Sequence, residues 1–112
     1  MGYVHEGHGS IICHRTLAQK EKQTINTIAA WFKSGLRVVF TDTEGKTRID
    51  MSFAGHIYDK AKTIADLESL TAAMDRDGIT AMYGELALYG RGETMRFLLQ
   101  EGQWIEPATS RP

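Results

Sequence analysis

A single cysteine, Cys13, stands in a chain of 112 residues, which excludes an internal disulfide framework and fits a reducing interior. No run approaches the roughly 20 apolar residues that a membrane span needs. The opening MGYVHEGHGS is polar and Gly-rich without an apolar core, so no signal peptide is expected either. Charge of one sign is lacking too: 13 basic residues against 14 acidic ones give a net charge of -1. That leaves no long-range positive field to draw in nucleic acid or an anionic membrane. No internal repeat or low-complexity linker divides the chain, and 42% hydrophobic content suits one modest core. These absences lead to an expected single domain over residues 1–112, frayed from about residue 107 and located in the cytoplasm.

What is present is strand and turn chemistry. In Leu36 to Phe53, LRVVFTDTEGKTRIDMSF, a two-residue loop at Glu44-Gly45 fixes every facing pair by counting outward. Phe40 then faces Ile49, Val38 faces Met51 and Leu36 faces Phe53, six apolar side chains on one side of the pleat. Arg37, Val39 and Thr41 fall on the other side, opposite Ser52, Asp50 and Arg48. The last third repeats the pattern. A loop at Gly90-Arg91-Gly92-Glu93 sets Leu88 against Met95, Leu86 against Phe97 and Gly84 against Leu99, and a second Glu-Gly pair, Glu101-Gly102, sets Trp104 opposite Leu99. Near the start, Ile11 and Cys13 share one face of a strand with Ile12 on the other; Gly7 and Gly9 weaken its first half, so a strand is expected only from about Gly9.

Two stretches carry helical spacing. Thr16 with Gln19 has the form of a capping box, and Leu17, Ile25, Ile28, Ala29 and Phe32 recur up to a terminating Gly35, predicting a helix from about Leu17 to Ser34. A second helix, starting between Ile57 and Thr63, has Ala61, Ile64, Leu67, Leu70 and Met74 as its stripe and Gly78 just past its end. The expected fold is α+β: one antiparallel sheet of five to six strands, two helices on one face, order β-α-β-β-α-β-β-β. This order fits both the ferredoxin-like split arrangement and a simple meander.

Chemistry is thin. His5, His8, Cys13 and His14 invite a zinc reading, but adjacent Cys13 and His14 point to opposite faces, no C-x-x-C or H-x-x-x-H pair occurs, and His56 stands alone. Cys13 with His14 or His56 has no Gly-rich elbow and no orienting third group, so a core thiol is the simpler account. Gly90-Arg91-Gly92-Glu93 precedes neither Lys-Ser nor Lys-Thr, which fits a hairpin loop rather than a phosphate loop. Neither cofactor, metal nor catalytic residue is expected. What survives is the outer face of the sheet, gathering Arg37, Val39, Arg48, Tyr83, Tyr89, Arg96, Leu98 and Ile105. Tyr and Arg are favoured at recognition surfaces, and apolar groups clustered there need a cover.

The opening Met1-Gly2-Tyr3, then Gly9-x-Ile11-x-Cys13 reaching Leu17, together with Gly84-Glu85-Leu86, Gly92-Glu93, Met95 to Leu99 and Glu101-Gly102-Gln103-Trp104, resemble a family of small actinobacterial and actinophage proteins to which no function is assigned. That family often carries a Pro-Pro pair after the first strand, where this chain has His14-Arg15-Thr16. The resemblance implies no catalytic residues; it implies an accessory protein of phage or mobile-element type. The expectation is therefore a non-enzymatic protein-binding module, an inhibitor or modulator of a host protein in the host cytoplasm. Its alternative is an assembly protein that forms a homo-oligomer. A nucleic-acid binder using Arg37, Arg48 and Arg96 is the weakest of the three on charge.

Overall fold

Two tight reversals set the frame of the computed structural model, which describes residues 2–53, 57–90 and 94–107, with side chains from residue 6 onward except those of 57 and 58. At both turns the chain enters the left-handed region, with φ of 53° and 75° at Glu44-Gly45 and 52° and 79° at Glu101-Gly102. Two successive positive φ values match the twist of the flanking strands, which is why these loops need only two residues. The first joins β2 (Leu36–Thr43) to β3 (Lys46–Phe53), in a continuous register with Leu36 on Phe53, Val38 on Met51 and Phe40 on Ile49. The second joins β6 (Thr94–Gln100) to β7 (Gln103–Ile105), with Leu99 on Trp104. Between β5 (Ala81–Gly90) and β6, Leu86 faces Phe97 and Leu88 faces Met95. The loop residues Arg91 to Glu93, and the tail beyond Pro107, lie outside the described residues.

Strand β1 differs from expectation. It runs over Gly2–Cys13, and its early glycines mark crowding rather than an end. A Cβ on Gly9 would stand 2.2 Å from the Glu85 carbonyl oxygen and 2.8 Å from Leu86 Cα. Only a residue without a side chain lets β5 approach so closely.

The sheet order is β2-β3-β1-β5-β6-β7, with the short β4 (Ile57–Tyr58) paired to the start of β1. All pairings are antiparallel. Strand β1 thus sits between β3 and β5, which a meander would not allow; the first four long strands follow the split β-α-β order. Helix α1 (Gln19–Ala29) carries the chain past one strand position, and the hairpin returns β3 into the gap.

Helix α1 is shorter than its periodicity suggested because distant partners hold both ends. Leu17 is 3% exposed and donates its N–H to Thr47 Oγ1 at 2.8 Å, keeping residues 16–18 extended. Ala18 therefore becomes the N-cap, and Glu21, not Gln19, turns back to accept its N–H at 2.8 Å. At the other end Asp66 accepts from the N–H groups of Lys33 (3.0 Å) and Ser34 (2.8 Å), satisfying donors that a longer helix would have used internally.

Helix α2 (Lys60–Arg76) starts at Asp59, which accepts from Lys62 N–H at 3.1 Å. It stops at Gly78 (φ 68°) in a Schellman motif, Ile79 N–H donating to Met74 and Gly78 N–H to Asp75. Its buried face is Thr63, Asp66, Leu67, Leu70, Thr71, Ala73 and Met74. Ala61 is exposed and Ile64 half-buried, so the stripe lies slightly around the helix from the expected one.

Both helices cover one face of the sheet. Ile11, Cys13, Ile49, Met51, Leu86, Leu88 and Phe97 from the strands meet Leu17, Ile25, Leu67, Leu70 and Met74. Each large group of this kind removed from water contributes about 1.5–3 kcal/mol. Trp104 closes the β7 end, donating its indole N–H to the Leu67 carbonyl at 3.2 Å. Among the described residues no helix is long and apolar enough to cross a membrane.

Candidate functional site

Successive side chains of a strand alternate between faces, so the observed registers assign the opposite, uncovered face residue by residue. One line crosses all six long-path strands: Val39, Asp50, Ser10, Glu85, Leu98 and Ile105. Beside it runs Arg37, Ser52, His8, Ala87 and Arg96, and on the other side Thr41, Arg48, Ile12 and Tyr83. Tyr89 follows next to Glu6. All eight residues expected on the outer face, Arg37, Val39, Arg48, Tyr83, Tyr89, Arg96, Leu98 and Ile105, therefore share it.

Val39 is 62% exposed, Tyr83 47%, Tyr89 42% and Ile105 40%. Leu98 is half-buried and the three arginines are exposed. Small groups occupy the middle of the face: Ser10 and Ser52 are half-buried, and Ala87 is covered between His8 and Arg96. Larger side chains rise to either side, so the centre is a low strip flanked by aromatic and aliphatic groups.

Two of the three arginines on this face are joined to carboxylates, and Arg37 forms no ion pair among the described residues. Arg96 Nη2 donates to Glu85 Oε2 at 2.6 Å, and the Tyr83 hydroxyl donates to the same oxygen at 2.8 Å. The Tyr83 hydroxyl first and the Arg96 guanidinium second hold the Glu85 carboxyl below its ordinary range, and that same hydrogen bond raises the Tyr83 phenol. Across the sheet, Arg48 Nε donates to Asp50 Oδ1 at 2.7 Å and Thr41 donates to Oδ2 at 2.9 Å. His8 lies 3.1 Å from Glu6.

The sequence did not place β1 in the middle of this face, so Glu6, His8, Ser10 and Ile12 were missed as members of it. The available signal was the alternation of Ile11 and Cys13 against Ile12, which extends backward two residues at a time. The two tyrosines stand on one strand, β5, and offer broad contact area with a polar tip.

The remaining candidates are dispersed. Cys13 lies on the core face, fully buried, and burial pushes its thiol up to about 11. His8 is on the outer face, and His14 sits past the strand end with its ring Nδ1 accepting from Thr80 N–H at 3.0 Å. The His5 side chain and His56 lie outside the described residues. Among the described residues no group of three or more His, Cys, Asp or Glu is placed to hold a metal ion. Asp50 and Glu85 are separated by β1, about 10 Å apart at strand spacing, and each is engaged by its own arginine. A groove of about 490 Å³ between the end of α2 and β5, lined by Met74, Asp75, Ile79, Met82, Leu99 and Glu101, opens away from this face.

Fold and face together define a small α+β domain with an open-faced antiparallel sheet. No family model, no curated protein and no solved structure matches the chain.

Proposed function

We propose that the chain is a non-enzymatic protein-binding module that docks a partner protein on the outer face of its sheet. In the phage-accessory setting that its resemblance implies, the partner is a host protein that the chain inhibits or modulates. One observation carries this reading: four of the exposed large apolar residues, Val39, Tyr83, Tyr89 and Ile105, stand on one sheet face with no covering element among the described residues. Large side chains left in water on a face whose other half supports the core are the usual mark of a surface that another molecule dries. The charge arrangement favours protein over nucleic acid as the partner. Arg48 and Arg96 are each matched by a carboxylate, and Arg37, which is not, is balanced on the same face by Glu6, leaving little net positive field for phosphates.

The test is capture from host extract with the tagged chain, followed by reconstitution with the purified captured protein. The complex is expected to form at defined stoichiometry and to be lost on Tyr83→Ala with Tyr89→Ala. It should survive Trp31→Ala, an exposed residue just after α1 that is not on this face. Equal loss in both variants, or none in either, would overturn the assignment.

A further inference from the structure

The two edges of the sheet are built differently. At one edge β7 has three residues and is followed by Glu106 and Pro107, so little unpaired backbone remains to recruit another strand. At the other, β2 has eight residues, LRVVFTDT, in unbroken register with β3 and, among the described residues, no other strand paired to it. It holds no proline, no lysine and no bulge, three of the devices that ordinarily blunt an edge, and its charges are confined to Arg37 and Asp42.

Which groups this edge offers follows from the turn. In a tight reversal the residue before the loop accepts a hydrogen bond from the residue after it, so Thr43 and Lys46 form a bonded pair. Bonding alternates along an antiparallel ladder. Thr41, Val39 and Arg37 therefore direct their amides at β3, and Asp42, Phe40 and Val38 direct theirs outward, while the Leu36 N–H is already held by Ser34 Oγ at 3.3 Å.

We infer that β2 pairs with β2 of a second copy of this chain, antiparallel about a twofold axis at Val39, joining the two sheets into one. A twofold axis normal to the sheet keeps both helix layers on the same side, so facing residues must have the same parity, and a centre on Val39 satisfies this. Val38 then faces Phe40 of the second copy, covering two side chains that are only half-buried at the core margin. Val39, 62% exposed, faces itself. Arg37 comes opposite Thr41 of the second copy, whose hydroxyl already holds the Asp50 carboxylate, so a cation arrives on the side of an acid. The two Val38–Phe40 pairs and the two Leu36–Asp42 pairs beyond them complete about six backbone hydrogen bonds, the Leu36 N–H groups being held by Ser34 within each chain. An unrelated extended peptide could use the same amides, but the β2 sequence, apolar at its centre with Arg37 set against Thr41, complements itself. This inference does not rest on the binding reading above: it uses the edge, shares Val39 and Arg37 with the outer face, and leaves Tyr83, Tyr89 and Ile105 open.

Strand pairing alone buries less than the roughly 1,000 Å² of a stable interface, so the dimer should be concentration-dependent. Sedimentation of the full chain from about 10 to about 300 µM is expected to show monomer passing to dimer. Val39→Lys sets two ammonium groups face to face at the closest pair and should weaken dimerisation at least about tenfold, while Val39→Thr, which keeps the β-branch, should leave it intact. Both substitutions fall on a solvent-facing side chain, and circular dichroism checks that the fold is kept. Val39→Cys should form an interchain disulfide on mild oxidation, since a non-bonded pair brings Cα atoms to about 4.5 Å. Arg37→Cys should not, because its facing residue is Thr41, and buried Cys13 stays silent. A chain that remains monomeric throughout, or a dimer indifferent to Val39→Lys, overturns the inference; a dimer that Val39→Cys does not lock overturns the placement of the axis.

Discussion

Replacing Gly9 with alanine is the sharpest probe of how the two central strands meet. The added carbon would stand 2.2 Å from the Glu85 carbonyl oxygen and 2.8 Å from Leu86 Cα, both backbone atoms that cannot rotate away. A carbon and a carbonyl oxygen in contact sit about 3.3 Å apart or more, so β1 and β5 must separate locally by about 1 Å. That stretch breaks one or two ladder bonds at about 1 kcal/mol each and adds overpacking strain of about 1–3 kcal/mol. Together these are about 2–5 kcal/mol, or about 1–4.5 kcal/mol after the fraction of a kcal/mol that alanine returns by restricting the unfolded chain. Gly7→Ala supplies the contrast. Its carbon would meet Phe53 Cδ2 at 2.6 Å and Leu88 Cδ2 at 2.7 Å, side-chain atoms able to shift, so about 1 kcal/mol is expected. For a domain of this size each kcal/mol moves Tm by about 4–8 °C. Tm should therefore drop by roughly 4–36 °C for Gly9→Ala, and by more than for Gly7→Ala, where the drop should stay under about 8 °C. A Gly9→Ala protein within about 3 °C of the parent, or more stable than Gly7→Ala, would refute the close approach.

Two further expectations concern the start of α1. Thr47 is fully buried, accepts from Leu17 N–H at 2.8 Å and donates to Asp42 at 2.6 Å; Thr47→Val keeps the volume but strands the Leu17 donor, so urea unfolding should show a loss of about 1–3 kcal/mol. Glu21 is held at about 2, against an ordinary 4.5, chiefly by the two-pronged hydrogen bond from Arg15 and then by the Ala18 N–H. With the folded value depressed, the unfolded chain takes up the proton first, so this stabilisation is complete above about 4.5 and fades as pH falls toward about 2. Glu21→Gln, which retains an acceptor for Ala18 but no charge, should flatten that acid limb in urea midpoints measured against pH; an unchanged limb would show that the Arg15 pair contributes nothing to it.

How much of this was legible in the sequence depends on the range of the interaction concerned. The facing pairs of both hairpins follow from Glu44-Gly45 and Glu101-Gly102 alone, because a two-residue turn determines register locally. The outer face came with them, since alternation carries each assignment outward. The start of β1 did not, because Gly7 and Gly9 have poor strand propensity and their reason for being there lies in Phe53, Leu88 and the backbone of β5. Helix α1 was overextended for the same cause: Thr47 and Asp66, each about thirty residues away, take the amides that local capping rules would assign elsewhere. Strand order was open between two arrangements until β1 was seen between β3 and β5. The matching of Arg48 to Asp50 and Arg96 to Glu85 depends on rotamers within that order and left no trace in the spacing.

That matching has a kinetic consequence. A surface on which Arg48 and Arg96 are already joined to carboxylates, leaving Arg37 as the one arginine without an ion pair among the described residues, presents only a weak field beyond a few ångströms, so a molecule approaching it is little steered. Encounter should proceed at the unassisted rate, on the order of 10⁵–10⁶ M⁻¹s⁻¹. Adding salt would change that rate little, and the lifetime of the contact would depend on the tyrosines and aliphatic groups, not on charge.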